Sequence, residues 1–588
     1  MKRDTSQYLI PAKKGKRDNS SYDINPSHPI TEGKIEIGYH SLADRISKEK
    51  TVILDGYVGV DWDEVMSVLV SCLEECGLSV SAFDIRNCLK SESEIDVLVE
   101  PYLGGDDPVF GRRTTLKLKD YFDPEKIDTI QVDKTTDIQL IYGTGASQSK
   151  IDGILVYFDL PKNELQFRSR AKAITNLGFS TTKSPKQTYK HFYFVDWIVL
   201  NREKKKLLPE IAIIVDQQRP DEPTWMEGEV LRNSLSKLSK SYFRVRPWFE
   251  PGVWGGQWMK ERFSGLNPDV PNYAWSFEMI VPENGLLFEE RGTLLEVSFD
   301  MLMFHERENV LGKAAKRFQD EFPIRFDFLD TFQGGNLSVQ CHPKPKYIQK
   351  NFGENFTQDE TYYILDATDD AKVYLGFQQD IHPKNFKKAL KHSEETGEEL
   401  DVEKYVMKLP AKKHDLFLIP HGTVHCSGKD TMVLEISATP YIFTFKMYDW
   451  QRLDLEGKPR PINIERAFDN LNFERKGKIV AKTLISKPVV TASGTTWKKV
   501  HLPTHPDHFY DIYRYEFEKE IGIETFGQCH ILMLVEGISI ALDLVEGSKT
   551  FYYAETFAVP AATGSYKLSN TGKTKAKVVV AFVKDEAC

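Results

Sequence analysis

The chain has 588 residues, and at the usual ~150 residues per domain this length predicts several domains. Its 41% hydrophobic and 28% charged residues are typical of a globular protein and exclude a disordered or fibrous one. The 77 Lys and Arg against 86 Asp and Glu leave a formal charge of -9, without the basic surplus of most nucleic-acid-binding proteins. We therefore expect a globular multidomain protein with no nucleic-acid partner.

Three features of the sequence indicate the compartment. No apolar run approaches the roughly 20 residues that cross a bilayer. The sequence after Met1 is polar and lacks the ~7–15-residue apolar stretch of a signal peptide. The 7 cysteines are an odd number without a CxxC pair, which favours reduced thiols. We predict a cytoplasmic protein with no membrane partner; the oligomeric state stays open.

The first part of the chain is predicted to be an α/β domain. Residues 1–30 are polar and without hydrophobic period, which predicts a flexible arm. From 31 to 235, short β-branched runs alternate with helical stretches, which is typical of a parallel sheet covered by helices. Strands are predicted at Thr51–Gly56, 139–143, Ile154–Asp159 and Ile211–Asp216, and an amphipathic helix at 61–76.

The turn after the first predicted strand lacks the residues of a phosphate-binding loop. A Walker loop needs Lys followed by Ser or Thr, but this turn offers Asp61, Trp62 and Asp63. Asp61 is instead predicted to cap the next helix in a capping box with Glu64. These carboxylates would repel a triphosphate. A scaffold, regulatory or ligand-sensing domain is the alternative to a kinase.

This domain resembles the P-loop nucleoside kinases in its strand–turn–helix order. A second likeness is the strand ending in Phe158-Asp159-Leu160-Pro161, which is followed by Arg168 and Arg170. Because the phosphate-binding Lys is missing, we interpret residues 31–235 as a degenerate P-loop kinase-like domain.

The remainder of the chain, from 240 onward, is predicted to be mainly β. Many short alternating strands, such as 360–365 and 415–419, favour a sandwich or barrel. A Lys- and Glu-rich stretch at about 385–406 predicts a small helical insertion. A further β segment covers 476–588, with predicted strands at 531–535 and 578–582.

Four residues of this region form a candidate metal site. In the alternating segment 337–343, Ser338, Gln340 and His342 share one strand face. Glu360 opens the next apolar strand, and a P-x-G-x-x-H turn ends at His425. Two imidazoles, a carboxylate and an amide oxygen suit a borderline metal such as zinc.

Residues 249–474 resemble the type I mannose-6-phosphate isomerases, which are zinc enzymes of the cupin fold. The landmarks stand in the family's order: Trp254-Gly255-Gly256, the strand 337–343, the turn 420–425, and Tyr448-Asp449-Trp450-Gln451-Arg452 followed by 457–460. The resemblance implies a metal-binding cupin, a double-stranded β-helix, at 240–475. It also implies that Gln340, His342, Glu360 and His425 hold one Zn²⁺ per chain, and that the partner is a hexose phosphate.

The sequence departs from the family at three positions. Lys446 stands where the family has Arg, Gln358 where it has Lys, and Asn463 where it often has His. Lys446 keeps the charge but loses the planar fork of a guanidinium. The identity of the sugar phosphate therefore stays open.

The second β segment, 476–588, resembles the family's second cupin barrel. Its turn at 555–562 lacks the histidine of the first, which predicts a metal-free, structural domain. The histidines at 501, 505 and 508 straddle two prolines in a predicted loop, where a surface role is favoured over a metal site.

Isomerisation moves a proton between C1 and C2 of the sugar, so it needs a carboxylate shuttle. Glu435 is the candidate, with Lys446 as its catalytic partner; a structural pair of the two is the alternative. The candidate substrate-binding residues are Ser338, Arg452, Arg460 and Trp254.

Three functions fit this sequence. The first is a zinc-dependent aldose–ketose isomerase that interconverts mannose 6-phosphate and fructose 6-phosphate through an enediolate. The second is a non-catalytic cupin that senses a sugar phosphate, which Lys446 and Gln358 favour. The third is a bifunctional isomerase with an N-terminal kinase, which the 61–63 sequence disfavours.

Overall fold

The computed structural model describes residues 1–15, 21–281, 283–453, 457 and 460–588. The chain divides into two compact units. Unit 1 contains Met1–Arg17, Asn25–Ser239 and Pro282–Glu306, and unit 2 contains Asp18–Ile24, Lys240–Val281 and Arg307–Cys588. Within the described residues, no helix combines the length and apolar character that a membrane crossing requires.

Unit 1 is built on a seven-stranded sheet. Across the sheet, the strands are Glu36–Ile37, Thr224–Glu227, Ile211–Asp216, Ile154–Asp159, Thr51–Gly56, Ile138–Tyr142 and Val80–Asp84. The five strands from Ile211–Asp216 to Val80–Asp84 are parallel, and the other two add antiparallel at one edge. The predicted parallel core is present because its β-branched runs are buried on both faces, as parallel strands require.

Helices connect these strands. They are Gly38–Ile46, Trp62–Glu75, Glu92–Val99, Pro124–Asp128, Lys162–Arg170, Pro185–His191, Trp197–Leu207 and Gly228–Leu238. The predicted cap at Asp61 is confirmed, since its carboxylate accepts the Glu64 backbone N–H at 3.2 Å. Kinase-like ancestry of this unit stays a prediction.

The described parts of the N-terminal 30 residues make specific contacts in the structure, and the flexibility of the predicted arm stays a prediction. Ser27–Pro29 pairs in parallel with Gly285–Glu290, whose antiparallel partner is Thr293–Ser298. Arg3 forms a 2.9 Å ion pair with Glu164. Pairing with these strands buries apolar residues such as Ile10, which the polar composition of the segment does not reveal. Residues 16–20 of the predicted arm lie outside the described residues.

The segment Pro282–Glu306 also differs from its predicted place. The prediction assigned it to the metal-binding domain at 240–475, whereas the structure groups it with unit 1. Its two strands complete the three-stranded sheet of that unit. The helix Asp300–Leu311 follows, with non-helical geometry at Glu306.

Unit 2 begins with two sheets that carry the candidate site. The six-stranded sheet contains, in order, Leu416–Ile419, Asp359–Ala367, Thr431–Ala438, Arg325–Asp330, Trp275–Met279 and Trp248–Glu250. The five-stranded sheet contains Val406–Pro410, Lys372–Phe377, His425–Ser427, Val339–Cys341 and Phe445–Tyr448. All their pairings are antiparallel, as alternating strands joined by turns favour.

Two further sheets form the C-terminal part of unit 2. One contains Val489–Ser493, Trp497–Leu502, Tyr510–Phe517, Ala576–Val583, His530–Glu536 and Thr556–Val559. The other contains Glu520–Glu524, Ser565–Asn570, Ser539–Leu544 and Gly547–Tyr552. Both contribute to one apolar core, in which the rings of Phe551 and Phe557 stack 3.7 Å apart.

Short helices complete unit 2. They are Trp258–Arg262, Ala315–Phe318, Pro345–Phe352, Pro383–Thr396, Ile464–Asn470 and Lys478–Thr483. The predicted insertion at 385–406 is a helix only as far as Thr396, because Gly397 adopts a left-handed conformation (φ 76°) and ends it. The mainly β class is confirmed, and the double-stranded β-helix stays a prediction.

Candidate metal centre

Three of the four predicted ligands lie together in unit 2. Gln340 and His425 are paired across the five-stranded sheet, and Glu360 comes from the six-stranded sheet. One atom each of His342, Glu360 and His425 lies within 4.8 Å of the others, and all three residues are buried. Among the described residues, this is the one such group of His, Cys, Asp and Glu.

Backbone carbonyls orient the two imidazole rings. His342 Nδ1 lies 2.9 Å from the Phe443 carbonyl, and His425 Nδ1 lies 3.0 Å from the Thr423 carbonyl. A carbonyl oxygen can only accept, so each Nδ1 carries a proton, and in the neutral ring Nε2 is then the atom with the lone pair that a metal can bind. Both Nε2 atoms lie at Glu360, at 2.9 Å for His342 and 3.3 Å for His425. Metal-binding histidines are commonly held in this way.

The residues at the centre fit a bound cation. His342 Nε2 and Glu360 Oε2 are buried without a hydrogen bond of acceptable geometry, an arrangement that a shared ion would satisfy. Burial alone would raise the pKa of Glu360, but the two histidines outweigh it and hold that pKa well below its usual value. Burial would lower the pKa of His342, and Glu360 outweighs it and raises that pKa.

The fourth predicted ligand, Gln340, lies beside the group. Its amide nitrogen is 3.4 Å from His425 Nε2. A half-turn of the amide places Oε1 in the same position, where it can act as a ligand. The arrangement therefore offers two nitrogens, a carboxylate and an amide oxygen, the donor set that zinc accepts.

Gln358 has a role that the sequence did not predict. Its amide donates to Glu360 Oε1, and its carbonyl oxygen accepts the Phe443 backbone N–H at 2.9 Å. The carbonyl of the same Phe443 holds the His342 ring. Gln358 thus supports two predicted ligands at once. Its local sequence gives no signal of the contact with Phe443, because Phe443 is distant in the chain.

Glu435 lies in a group of buried carboxylates next to Glu360. In the six-stranded sheet it is paired with Asp327 on one side and Tyr362 on the other. Burial, the Asp327 charge and Glu360 raise the pKa of Glu435 well above its usual value. Burial and Glu360 likewise raise the pKa of Asp327. Sequence analysis singled out Glu435 and missed Asp327.

The other predicted catalytic residue, Lys446, is a strand neighbour of the site. It is paired with Gln340 in the five-stranded sheet, so the two side chains share a face. Its backbone carbonyl accepts the Asn463 N–H at 2.7 Å.

Three of the predicted substrate-binding residues meet at Asp449, which is 4% exposed. Ser338 donates to its Oδ1 at 2.7 Å, Arg452 donates at 2.6 Å, and Arg460 donates to Oδ2 at 2.7 Å. Asp449 was missed as a site residue, although it belongs to the Tyr-Asp-Trp landmark. The two guanidinium groups are thus held in place by one carboxylate.

The fourth, Trp254, is packed against Trp275, with ring centroids 4.6 Å apart. It is 3% exposed, so its ring offers almost no surface to a ligand. The structure gives this residue a packing contact.

The C-terminal part of unit 2 offers no comparable group among the described residues. His530 is 4% exposed and bonds through Nδ1 to the Tyr566 hydroxyl at 2.9 Å. His508, predicted in a surface loop, is instead 1% exposed and stacks on Tyr510. His501 bonds to Asp511 at 2.8 Å.

Comparisons with known proteins give matches over part of the chain. A family model described as a domain of unknown function, DUF8485, matches residues 38–240. Mannose-6-phosphate isomerase ManA of Bacillus subtilis is 27% identical over 224 residues, which are 38% of this chain and 66% of that protein. Mannose-6-phosphate isomerase of Streptococcus mutans is 29% identical over 222 residues, 38% of this chain and 65% of that protein. The chain thus spans just under two thirds of these curated relatives.

The two solved structures described next align with TM-scores below 0.5. The mannose 6-phosphate isomerase of Bacillus subtilis has a TM-score of 0.48 at 19% identity, covering 58% of this chain and 99% of that chain. A mutant of phosphomannose isomerase from Salmonella typhimurium has a TM-score of 0.46 at 15% identity, covering 58% and 100%. The sequence identity to these relatives shows that the chain contains a segment homologous to mannose-6-phosphate isomerases.

Proposed function

We propose that unit 2 is a zinc-dependent aldose–ketose isomerase that acts on a hexose phosphate, most simply interconverting mannose 6-phosphate and fructose 6-phosphate. The observation that carries this is the buried group of His342, Glu360 and His425, with both Nε2 atoms directed at one carboxylate. The homologous relatives named as mannose-6-phosphate isomerases supply the substrate class.

His342, Glu360, His425 and Gln340 would hold the metal. A zinc ion with a single anionic ligand keeps net positive charge and would stabilise the oxyanion that develops at the sugar C1 and C2 oxygens. The protein contributes fixed donors, because backbone carbonyls hold both histidines before the ion binds. Little reorganisation is then needed on binding.

Glu435 would carry the proton between C1 and C2. A general base works best with a pKa near the working pH, and burial together with Asp327 moves the pKa of Glu435 upward from the ordinary carboxyl range. Because Glu435 lies beside Glu360, it would be near the reacting end of a substrate bound to the metal. Lys446, on the strand next to Gln340, would bind a sugar oxygen.

Ser338, Arg452 and Arg460 would bind the phosphate. They converge on Asp449, which orders their side chains. Because that carboxylate already balances part of their charge, the substrate phosphate would compete with it for the guanidinium groups.

The test combines metal analysis with an activity assay. We expect one zinc per purified chain and turnover of mannose 6-phosphate to fructose 6-phosphate in a coupled assay. His342→Ala should lose both zinc and activity, since it removes a ligand. Stoichiometric zinc without turnover of any hexose or pentose phosphate would overturn the isomerase.

A second variant tests whether Glu435 is the general base. Glu435→Gln keeps the shape of the side chain and removes the proton carrier, so we expect zinc content to be retained and kcat to fall by about 100-fold or more. The same measurement on Glu435→Asp should show partial activity. An unchanged kcat in Glu435→Gln would assign the proton transfer elsewhere.

A sugar-phosphate sensor is the second candidate. Gln358, which stands where the isomerases have Lys, uses its amide within the protein and offers no cation to a phosphate. A sensor would bind mannose 6-phosphate in calorimetry with no isomerisation under the same conditions.

A further inference from the structure

Unit 1 contains a buried ionic group that the proposed isomerase does not use. Lys162, Lys204 and Asp159 are fully buried, and Asp300 is 4% exposed. Two ammonium and two carboxylate groups balance in charge. Buried lysines are rare and occur with paired anions. The stability of this part of unit 1 therefore depends on the pairing of the two lysines with the two carboxylates.

The group lies at the carboxyl edge of the parallel strands. Asp159 is the last residue of the strand Ile154–Asp159, and Lys162 begins the helix Lys162–Arg170. In open α/β sheets, ligands bind in the crevice outside the carboxyl ends of the strands. The two lysines therefore occupy the part of the fold where such sheets bind ligands.

Asp300 binds both lysines. Its Oδ2 accepts from Lys162 Nζ, and its Oδ1 lies 3.3 Å from Lys204 Nζ. Lys204 Nζ also lies 2.8 Å from Asp159 Oδ1. Asp300 follows Lys162 by 138 residues in the chain, so its carboxylate reaches the lysines from a distant segment.

Aromatic rings enclose the ammonium groups. Lys204 Nζ lies 4.1 Å from the centroid of the Tyr57 ring, and Lys162 Nζ lies 5.4 Å from the same ring and 5.7 Å from the Trp197 ring. Cation–π attraction favours the charged lysines while the rings exclude water. Two ammonium groups surrounded by aromatic rings that exclude water form an environment suited to an anion.

The segment around Asp300 also forms hydrogen bonds with the carboxyl ends of the parallel strands. Ser298 donates both its backbone N–H and its hydroxyl to Asp159 Oδ2 at 2.6 Å. The Glu296 backbone N–H donates to Asp216, the last residue of the neighbouring strand, at 2.9 Å. The chain thus covers the ends of two adjacent parallel strands with its own backbone.

We propose that Lys162 and Lys204 form an anion-binding site at the carboxyl edge of the unit 1 sheet, which the chain fills with its own Asp300 carboxylate. Removal of that carboxylate leaves a site for a small oxyanion, such as inorganic phosphate or formate. In the intact protein, a phosphate ester reaches the lysines only by displacing Asp300. This disfavours a kinase in unit 1 on grounds independent of the missing phosphate loop.

Chemical rescue of the full-length Asp300→Ala variant tests this site. Two buried lysines lose a partner, so we expect unit 1 to melt about 10 °C lower than in the parent. Sodium phosphate or sodium formate should restore several degrees, about half of the loss, while sodium chloride at equal ionic strength should not. Hydrogen exchange of Ile154–Asp159 on heating assigns the transition to unit 1.

Asp300→Asn is the matched control, because it removes the charge but keeps the space filled. It should be destabilised and show no rescue by either oxyanion. Equal stabilisation of parent and Asp300→Ala by phosphate, or melting of Asp300→Ala within about 2 °C of the parent, would overturn the proposal.

If Asp300→Ala does not fold, a double variant tests whether the lysine and the carboxylate form one site. Lys162→Met with Asp300→Asn removes one cation and one anion together, so it should lose less thermal stability than the two single variants summed. Additive losses would mean that the lysine and the carboxylate do not form one site, and the proposal would fail.

Discussion

At the scale of single residues, Gln358 shows how a neutral side chain can control a charged centre. It donates to Glu360 and holds the backbone of Phe443, whose carbonyl orients His342. It is 6% exposed, so no water replaces these bonds without rearrangement. The orientation of two ligands therefore depends on one amide.

Replacement of Gln358 by Ala should weaken metal binding without removing a ligand. Loss of a supporting hydrogen bond at a metal site typically lowers affinity by about 10–100-fold, and we expect that range for zinc. Competition with a chromophoric chelator measures it. Gln349→Ala, on an exposed helix position, is the control and should bind zinc like the parent. A zinc affinity of Gln358→Ala within twofold of the parent would contradict the supporting role.

At the scale of elements, the two pairs of sheets in unit 2 differ in what fills them. The first pair carries Glu360, Glu435 and the histidines among its buried residues. The second pair is filled with aromatic and aliphatic side chains, including the stacked Phe551 and Phe557. The metal-free, structural role of the C-terminal sheets stays a prediction.

His530 makes the stability of these C-terminal sheets sensitive to acid. Burial lowers the pKa of its ring from 6.5 to about 3. Below pH 6.5 the unfolded chain binds a proton that the folded ring does not, so this stability is full above pH 6.5 and falls as the pH drops toward 3. Between pH 7 and pH 5 the loss from His530 is about 2 kcal/mol.

Urea unfolding of the parent and of His530→Asn at both pH values checks this. Asn keeps a polar atom near the Tyr566 hydroxyl but does not titrate. Its free energy of unfolding should therefore fall by about 2 kcal/mol less between pH 7 and pH 5 than that of the parent. The same drop in both proteins would show that His530 does not titrate on unfolding.

At the scale of the whole molecule, two units with different chemistry share one chain. The His–Glu–His group lies in unit 2, and the buried lysine group lies in unit 1. A ligand that binds only the folded form of one unit stabilises that unit by mass action.

Zinc removal should therefore act on one unit only. We expect a chelator to increase hydrogen exchange in strands Val339–Cys341, Asp359–Ala367 and His425–Ser427, because the proposed zinc ion would link them. Exchange in Thr51–Gly56 and Ile154–Asp159 of unit 1 should stay as in the zinc-loaded protein. Mass spectrometry of peptic fragments measures both. Increased exchange in the unit 1 strands would place a metal effect outside unit 2.

The sequence by itself determined several elements and the residue types of the candidate metal site, because both depend on local patterns. Short β-branched runs indicated the Ile154–Asp159 and Ile211–Asp216 strands with the bounds that the structure shows. Local spacing also singled out His342, Glu360 and His425, which the structure brings within 4.8 Å. Each of these signals lies within a few residues of chain.

Only the tertiary structure decided which partners these residues have. Asp300 between Lys162 and Lys204, and Gln358 on the distant Phe443 backbone, are contacts that single-sequence spacing does not encode. The packing of the N-terminal segment is of the same kind, since its strand partner Gly285–Glu290 is over 250 residues away. Such pairs form because burial leaves no water to satisfy a charge or a backbone group, so each must find a partner wherever the fold brings one.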